Sequence, residues 1–409
     1  MDDAGIFSLI WLIIKKCMNC KEDKKTVITK WSEQIKNEDN AKKGDVSSKA
    51  SEDNEKKVVT DKLSEGIKRL GTKDDKKTNN PKLEAKNERK RDTLIALLYF
   101  SALLYKRDGT QISKIHDCIS KIKKDPENIK VLKNIQKELQ KKNQPESTDN
   151  NKKVLFENIE NLISTLINEN DKLIEKEFED LKNDVKYTSI SELGTDDGGS
   201  FCGMFWSEEN NFIVMAFKGT TPDNLGEWMR NLTVQCVDGR AHLFGQIHQG
   251  FYEYLFPNNE VNKRDFPCKR IIEAIQIKAI EINKKSKKDN VNLWVTGHSL
   301  GGALATLFYA YLLKTNLGGL QEHLNFKGAI TFASPAVGNH HFATQLDSLI
   351  DDPKNKESPL WRVVVKQDIV PKLPYRACEK WMRKYTYNYN VLMNFVQIDI
   401  KLHFIMMVK

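Results

Sequence analysis

The sequence predicts an α/β fold: a mostly parallel sheet flanked by helices, with a helical extension before it. Three observations lead there. The first is Val291 to Leu313, VNLWVTGHSLGGALATLFYAYLL. It opens on a run rich in β-branched and aromatic residues, which reads as a buried strand. A glycine-flanked turn follows, and then Ala303, Leu304, Leu307, Phe308, Tyr311 and Leu312 recur at helical spacing. The second is a set of short apolar runs, Asn211 to Phe217, Lys327 to Pro335 and Leu360 to Val365, that alternate with helical patterns. The third is a change of period at Tyr187, from helical spacing before it to strands after it.

Taken in order, Ala4 to Ile14 is an apolar run closed by Lys15 and Lys16. As a helix it would cover roughly 16 Å, against a hydrocarbon core of about 30 Å, so it is too short to span a bilayer. An interfacial anchor, a cleaved signal and a segment docked on the protein are all compatible with it. Acylation of Cys17 or Cys20 would add a second anchoring signal. Residues 21–91 are rich in Lys, Asp, Glu and Asn and are expected to be a disordered linker. The folded domain is expected over 92–409, opening with a helix from Asp92 to Tyr105 that is apolar almost all round, Asp92 serving as its N-cap. Residues 112–186 read as a helical insertion, with Leu155, Ile159, Leu162 and Leu166 in one stripe that Leu173, Phe178 and Leu181 extend. Ser200 to Trp206 and Asn211 to Phe217 form a hairpin around Ser207 to Asn210. A basic helix is expected from Cys268 to Lys287.

Charge and cysteine usage narrow the function. The net charge is +9 over 409 residues, and Lys15 to Asp92 alone carry 23 Lys and Arg against 16 Asp and Glu. A basic arm of this kind suits an anionic membrane surface. No recognition-helix pattern, zinc spacing or basic-aromatic sheet face points to nucleic acid. Seven widely spaced cysteines form no disulfide framework, and a reducing, intracellular compartment is the default. The alternative is the secretory pathway, where Asn231-Leu-Thr233 would be a glycosylation sequon. No metal-ligand spacing is present, and no cofactor is expected.

The chemistry centres on Gly297-His298-Ser299-Leu300-Gly301. A G-x-S-x-G between a strand and a helix is the context of a nucleophile elbow. Glycines allow the sharp bend, the serine hydroxyl is pushed out at the end of the sheet, and free helix N–H groups face any negative charge that develops there.

Five motifs occur in sequence: IVMAFKGTTPDNLGEW, GQIHQGF, VTGHSLGGALA, TFASPAVGN and WRVVVKQDIVPKLP. In that order they resemble the class 3 lipases, the fungal-lipase type of α/β-hydrolase, from about Asp92 onward. The resemblance implies Ser299 as nucleophile and Asp368 as the acid that orients an imidazole. It implies an oxyanion hole from the N–H groups of Leu300 and Thr220, with the Thr220 hydroxyl as a further donor. Lys218 stands where the family often has Arg. Asp223 to Val234 would be the lid, with Leu225, Trp228, Met229 and Leu232 at helical spacing on its apolar face. For the base, the family's Val-His-x-Gly stretch corresponds to Phe395 to Asp399, where Gln397 and Asp399 stand in place of His and Gly. Seven histidines precede Asp368, against the family's Ser, Asp, His order, and His403 follows it. Either His403 supplies the imidazole, or the family's histidine is missing from this sequence. His248 and His298 read as packing residues.

The expected function is hydrolysis of glycerolipid acyl esters through a serine-bound acyl-enzyme, with the N-terminus at a membrane surface. Phospholipase A1 and soluble-ester esterase activities lie within that class. The alternative is a lipase-like scaffold that binds lipid or a protein partner without turnover.

Overall fold

A computed structural model describes residues 60–72, 83–107, 152–179, 184–193, 200–220, 235–257, 266–286, 290–320, 322–365, 368, 370–372, 395–396 and 405–406. The predicted anchor at 1–20 and residues 112–151 of the predicted insertion lie outside these.

The helices are α1 (60–70), α2 (Leu83–Leu103), α3 (Lys152–Glu179), α4 (Gln249–Leu255), α5 (Pro267–Ser286), α6 (Leu300–Lys314) and α7 (His340–Ile350). The main strands are β1 (Lys186–Glu192), β2 (Phe201–Ser207), β3 (Phe212–Phe217), β6 (Val291–His298), β7 (Leu324–Phe332), β9 (Leu360–Val365) and β11 (Ile405–Met406). They form one sheet in the order β1-β2-β3-β6-β7-β9-β11. The first three strands form an antiparallel meander. From β3 onward every pairing is parallel. Four short strands, β4 (Cys236–Asp238), β5 (Gln246–His248), β8 (Gly338–Asn339) and β10 (Phe395–Val396), make a second sheet.

The predicted hairpin is present. Its turn is closed by the Ser207 hydroxyl, which accepts from the Asn210 N–H at 2.9 Å. Asn211 follows at φ 53°, a left-handed position that asparagine tolerates better than most side chains.

β3 shows how the layers arise. All six of its residues are buried, and in a strand they alternate between faces. Ile213, Met215 and Phe217 join the core made with α5 and α6, among them Ile271, Ile275, Leu304 and Phe308. Phe212, Val214 and Ala216 join a separate core made with α1, α2 and α3, among them Ile67, Leu97, Phe100 and Phe178. The sheet is therefore covered on both faces, as expected of a mostly parallel sheet.

Three expectations need correction. Residues 60–70 fall in the stretch read as a disordered linker, yet they are helical, and Leu63, Ile67 and Leu70 are at most 3% exposed. Their i, i+4, i+7 spacing makes an apolar stripe that the surrounding charge conceals. The Leu70 carbonyl accepts from Asn292 Nδ2 at 2.9 Å and from Trp294 Nε1 at 3.0 Å, which ties α1 to β6. Second, α2 begins at Leu83, so Asp92 lies inside the helix and is not its N-cap. Its carboxylate instead pairs with Arg69 of α1 at 2.9 Å. Third, Leu173 is 53% exposed, and α3 buries Ile174 and Phe178. Phe178 is thus buried as predicted, and Ile174 takes the inward place expected of Leu173.

Among the described residues no helix is long and apolar enough to cross a membrane.

Candidate active site

β6 ends at His298 and α6 begins at Leu300, so Ser299 is the whole of the bend between them. Its backbone sits at φ 56°, ψ −126°, a conformation costly for any residue with a Cβ. Backbone hydrogen bonds hold it there. The Ser299 N–H donates to the Phe332 carbonyl at the end of β7 at 2.9 Å, and the Ser299 carbonyl accepts from the Gly302 N–H at 2.8 Å. Ser299 is 3% exposed. Its Oγ is buried without a hydrogen-bond partner among the described residues. A buried hydroxyl left unpaired is disfavoured in a core of purely structural purpose.

The loop 218–220 lies against the first turn of α6. A Cβ on Gly301 would collide with the Phe217 carbonyl and lie 2.9 Å from the Gly219 nitrogen. Glycine at 301 is thus what allows the loop after β3 and the elbow to meet. Thr220, predicted for the oxyanion hole, is 2% exposed, and its Oγ1 is also buried without a partner among the described residues. Leu300, the other predicted donor, is fully buried as the first residue of α6. N–H groups in the first turn of a helix have no acceptor within the helix.

His298 packs, as expected, and the structure supplies its partner. Tyr105, in the 3-10 turn Leu104–Lys106 after α2, brings its hydroxyl to 3.0 Å from His298 Nδ1. The rings meet edge to face at 5.7 Å. Burial pushes the His298 imidazole down to about 4, so it is neutral at neutral pH. Burial also raises the Tyr105 phenol far above its ordinary range. Tyr105 was not singled out in the sequence. Its place is set by where α2 ends against β6, and no local pattern encodes that.

Asp368 follows β9 by three residues, is partly buried, and accepts at Oδ1 from the Val370 N–H at 2.9 Å. This closes an Asx turn and fixes the carboxylate's plane. β6, β7 and β9 are adjacent and parallel, so Ser299 and Asp368 leave the same edge of the sheet. One strand lies between theirs, a separation of roughly 10 Å along the sheet. That span leaves room for an intervening imidazole. Arg362 braces this edge: it donates to the Ser334 carbonyl at 2.8 and 3.2 Å and to the Pro371 carbonyl at 2.8 Å. The loop after β7 and the turn holding Asp368 are thereby joined.

The other histidines are placed elsewhere. His248 is buried and stacks on Phe251 at 4.1 Å. His242 stacks on Phe256 at 4.6 Å, and His340 bonds the Thr344 hydroxyl. The predicted base His403 and the predicted lid residues Leu225, Trp228, Met229 and Leu232 lie outside the described residues.

Residues 214–377 match the family model for lipase (class 3). The chain is 27% identical over 188 residues to triacylglycerol lipase OBL1 of Arabidopsis thaliana, covering 41% of this chain and 35% of that protein. It is 38% identical over 202 residues to the secreted mono- and diacylglycerol lipase 1 of Fusarium solani, covering 48% of this chain and 49% of that protein. Among solved structures it is similar to the Rhizomucor miehei lipase propeptide complex, with 24% identity, a TM-score of 0.35, and coverage of 48% and 54% of the two chains. The matches thus span between about a third and a half of these curated relatives' lengths. The motif order, the strand–serine–helix bend and the family match agree: residues 214–377 are similar to the class 3 lipases, and they lie on a mostly parallel sheet flanked by helices.

Proposed function

We propose that this chain hydrolyses acyl esters of glycerolipids through Ser299. Ser299 Oγ attacks the ester carbonyl carbon, and an imidazole, assigned to His403, takes its proton. Asp368 orients that imidazole and stabilises its charged form. The N–H groups of Thr220 and Leu300 receive the oxyanion. The alcohol leaves with the proton, and water then releases the acyl group from Ser299. The observation that carries this reading is the strained Ser299 between β6 and α6, its Oγ unpartnered and the loop 218–220 packed against the bend. Because Ser299 is 3% exposed, substrate entry requires the site to open. Residues 223–234 are assigned as the lid that does so on lipid, with Leu225, Trp228, Met229 and Leu232 on its apolar face. The N-terminal apolar run and basic arm are assigned to an intracellular membrane surface.

The test is hydrolysis of p-nitrophenyl butyrate and of tributyrin, with labelling by a fluorophosphonate. Wild type is expected to hydrolyse both esters and to be labelled, and Ser299→Ala to do neither. His403→Ala is expected to lose at least about 10³-fold in kcat. Retained activity in that variant removes the base assignment and keeps the hydrolase. A second reading, a lipid- or protein-binding scaffold without turnover, draws on one observation: among the described residues no imidazole bonds Ser299 Oγ. Folded wild-type protein that neither hydrolyses nor labels decides for it.

A further inference from the structure

The loop 218–220 leaves β3 buried against the elbow. The Lys218 N–H donates to the Phe201 carbonyl at 2.9 Å, the last ladder bond of β3. Beyond that, Gly219 packs against Tyr105 Oη. A Cβ on Gly219 would lie 2.6 Å from Tyr105 Oη, 2.6 Å from the His298 carbonyl oxygen and 3.2 Å from the Gly301 nitrogen. The phenol, the end of β6 and the first turn of α6 therefore converge on one α-carbon. Tyr105 is itself well anchored. It is 8% exposed, its hydroxyl lies 3.0 Å from His298 Nδ1, and Lys218 Nζ sits 5.6 Å from its ring centroid. Its neighbour Lys106 pairs with Glu177 of α3 at 2.9 Å.

The hydroxyl lies 3.0 Å from His298 Nδ1 and 3.4 Å from the His298 carbonyl oxygen. Contact is then continuous from the loop at Gly219, through the phenol, to the residue that precedes Ser299. We propose that Tyr105 is a positioning residue: its hydroxyl, bonded to His298 and packed against Gly219, tethers the loop and so fixes where the next amide, that of Thr220, points. Tyr105 lies well before residues 214–377, the segment matched by the family model. The site is therefore completed by the N-terminal helical layer. The effect on rate rests on the hydrolase reading above, whereas the tether itself does not.

The experiment compares wild type with Tyr105→Phe, which removes one oxygen and keeps the ring. Amide hydrogen exchange over residues 217–221 reads how firmly the loop is held, with or without turnover. Exchange there is expected to be at least about tenfold faster in the variant, with the melting curve still cooperative. With p-nitrophenyl butyrate, kcat is expected to fall about 10- to 100-fold with KM nearly unchanged, because a donor displaced by a fraction of an ångström is felt in the transition state. Inhibition by an alkylphosphonate should weaken in parallel. A residue that only packs would lower the melting temperature and leave kcat of the folded enzyme alone. Unchanged exchange overturns the tether. Faster exchange with unchanged kcat overturns the positioning role and leaves the hydrolase intact. If wild type proves inert to esters and phosphonate, the hydrolase reading falls, and exchange alone decides the tether. Should Tyr105→Phe not fold, His298→Asn, which removes the ring that the hydroxyl bonds, is read in the same way.

Discussion

At Ser299 the backbone stands at φ 56°, ψ −126°, where a side chain costs of order 1–3 kcal/mol and glycine costs almost nothing. Ser299→Gly should release that strain, less the roughly 0.5–1 kcal/mol of extra entropy that glycine loses on folding. A net gain of about 1 kcal/mol corresponds to a rise in Tm of roughly 2–4 °C for a domain of this size. Calorimetry should find that rise in Ser299→Gly over Ser299→Ala, which also lacks the unpaired hydroxyl but keeps the Cβ; both variants should fail to hydrolyse ester. An equal Tm for the two variants would mean the bend is relaxed. His298 gives a second test. Burial holds its folded-state pKa down to about 4, against about 6.5 unfolded. Above pH 6.5 both states are neutral and the group contributes no pH dependence. Between pH 6.5 and 4 the unfolded chain binds the proton more readily, so stability falls as pH falls, by up to about 3 kcal/mol. Urea midpoints measured from pH 7 to 4.5 should drop more steeply for wild type than for His298→Asn. Parallel curves would show that the imidazole titrates normally. The two residues differ in how they could be found. Ser299 is legible in sequence because glycines, strand and helix all lie within a few positions of it. Tyr105 is not, because its role comes from a contact with His298, 193 positions away in the chain.

α1 shows why local charge misleads. Its apolar residues, Leu63, Ile67 and Leu70, stand among lysines and acids, and the segment taken alone is too poor in apolar groups to order itself. It orders because β6 offers Asn292 and Trp294 as donors to the Leu70 carbonyl, and because Arg69 reaches Asp92 of α2. Ile67 is fully buried, so Ile67→Ala should destabilise the protein by about 2–5 kcal/mol. A disordered linker would tolerate the change without effect. Denaturant unfolding of the full chain distinguishes the two. The strands were legible for the opposite reason: β3 is a continuous apolar run buried on both faces, and β6, β7 and β9 are mostly apolar between helical patterns. In α3 the stripe was legible only to within one position, Ile174 facing inward where Leu173 was expected, because two adjacent aliphatics fit either phase of a helical period.

The two cores divide the labour between the family-matched segment and what precedes it. Residues 214–377 include most of β3 and all of β6, β7 and β9, together with α4 to α7. The helices packed against the other face of that sheet, α1, α2 and α3, all come earlier in the chain. Without them Phe212, Val214, Ala216, Trp294, Ile330, Phe332 and Val363 lose their cover together. An apolar surface of that kind exceeds the few hundred Å² that soluble monomers usually expose. A fragment of residues 200–409 is therefore expected to aggregate or to bind a hydrophobic dye such as ANS strongly. Co-expression with residues 60–193 should restore solubility, since the missing layer is supplied as separate helices and β1. It should also restore ester hydrolysis, because Tyr105 returns with it. A soluble, cooperatively folding 200–409 fragment with full activity would show that the N-terminal layer is dispensable. A fragment that folds yet turns over slowly would separate the two contributions, leaving the sheet self-sufficient and the loop 218–220 dependent on the phenol.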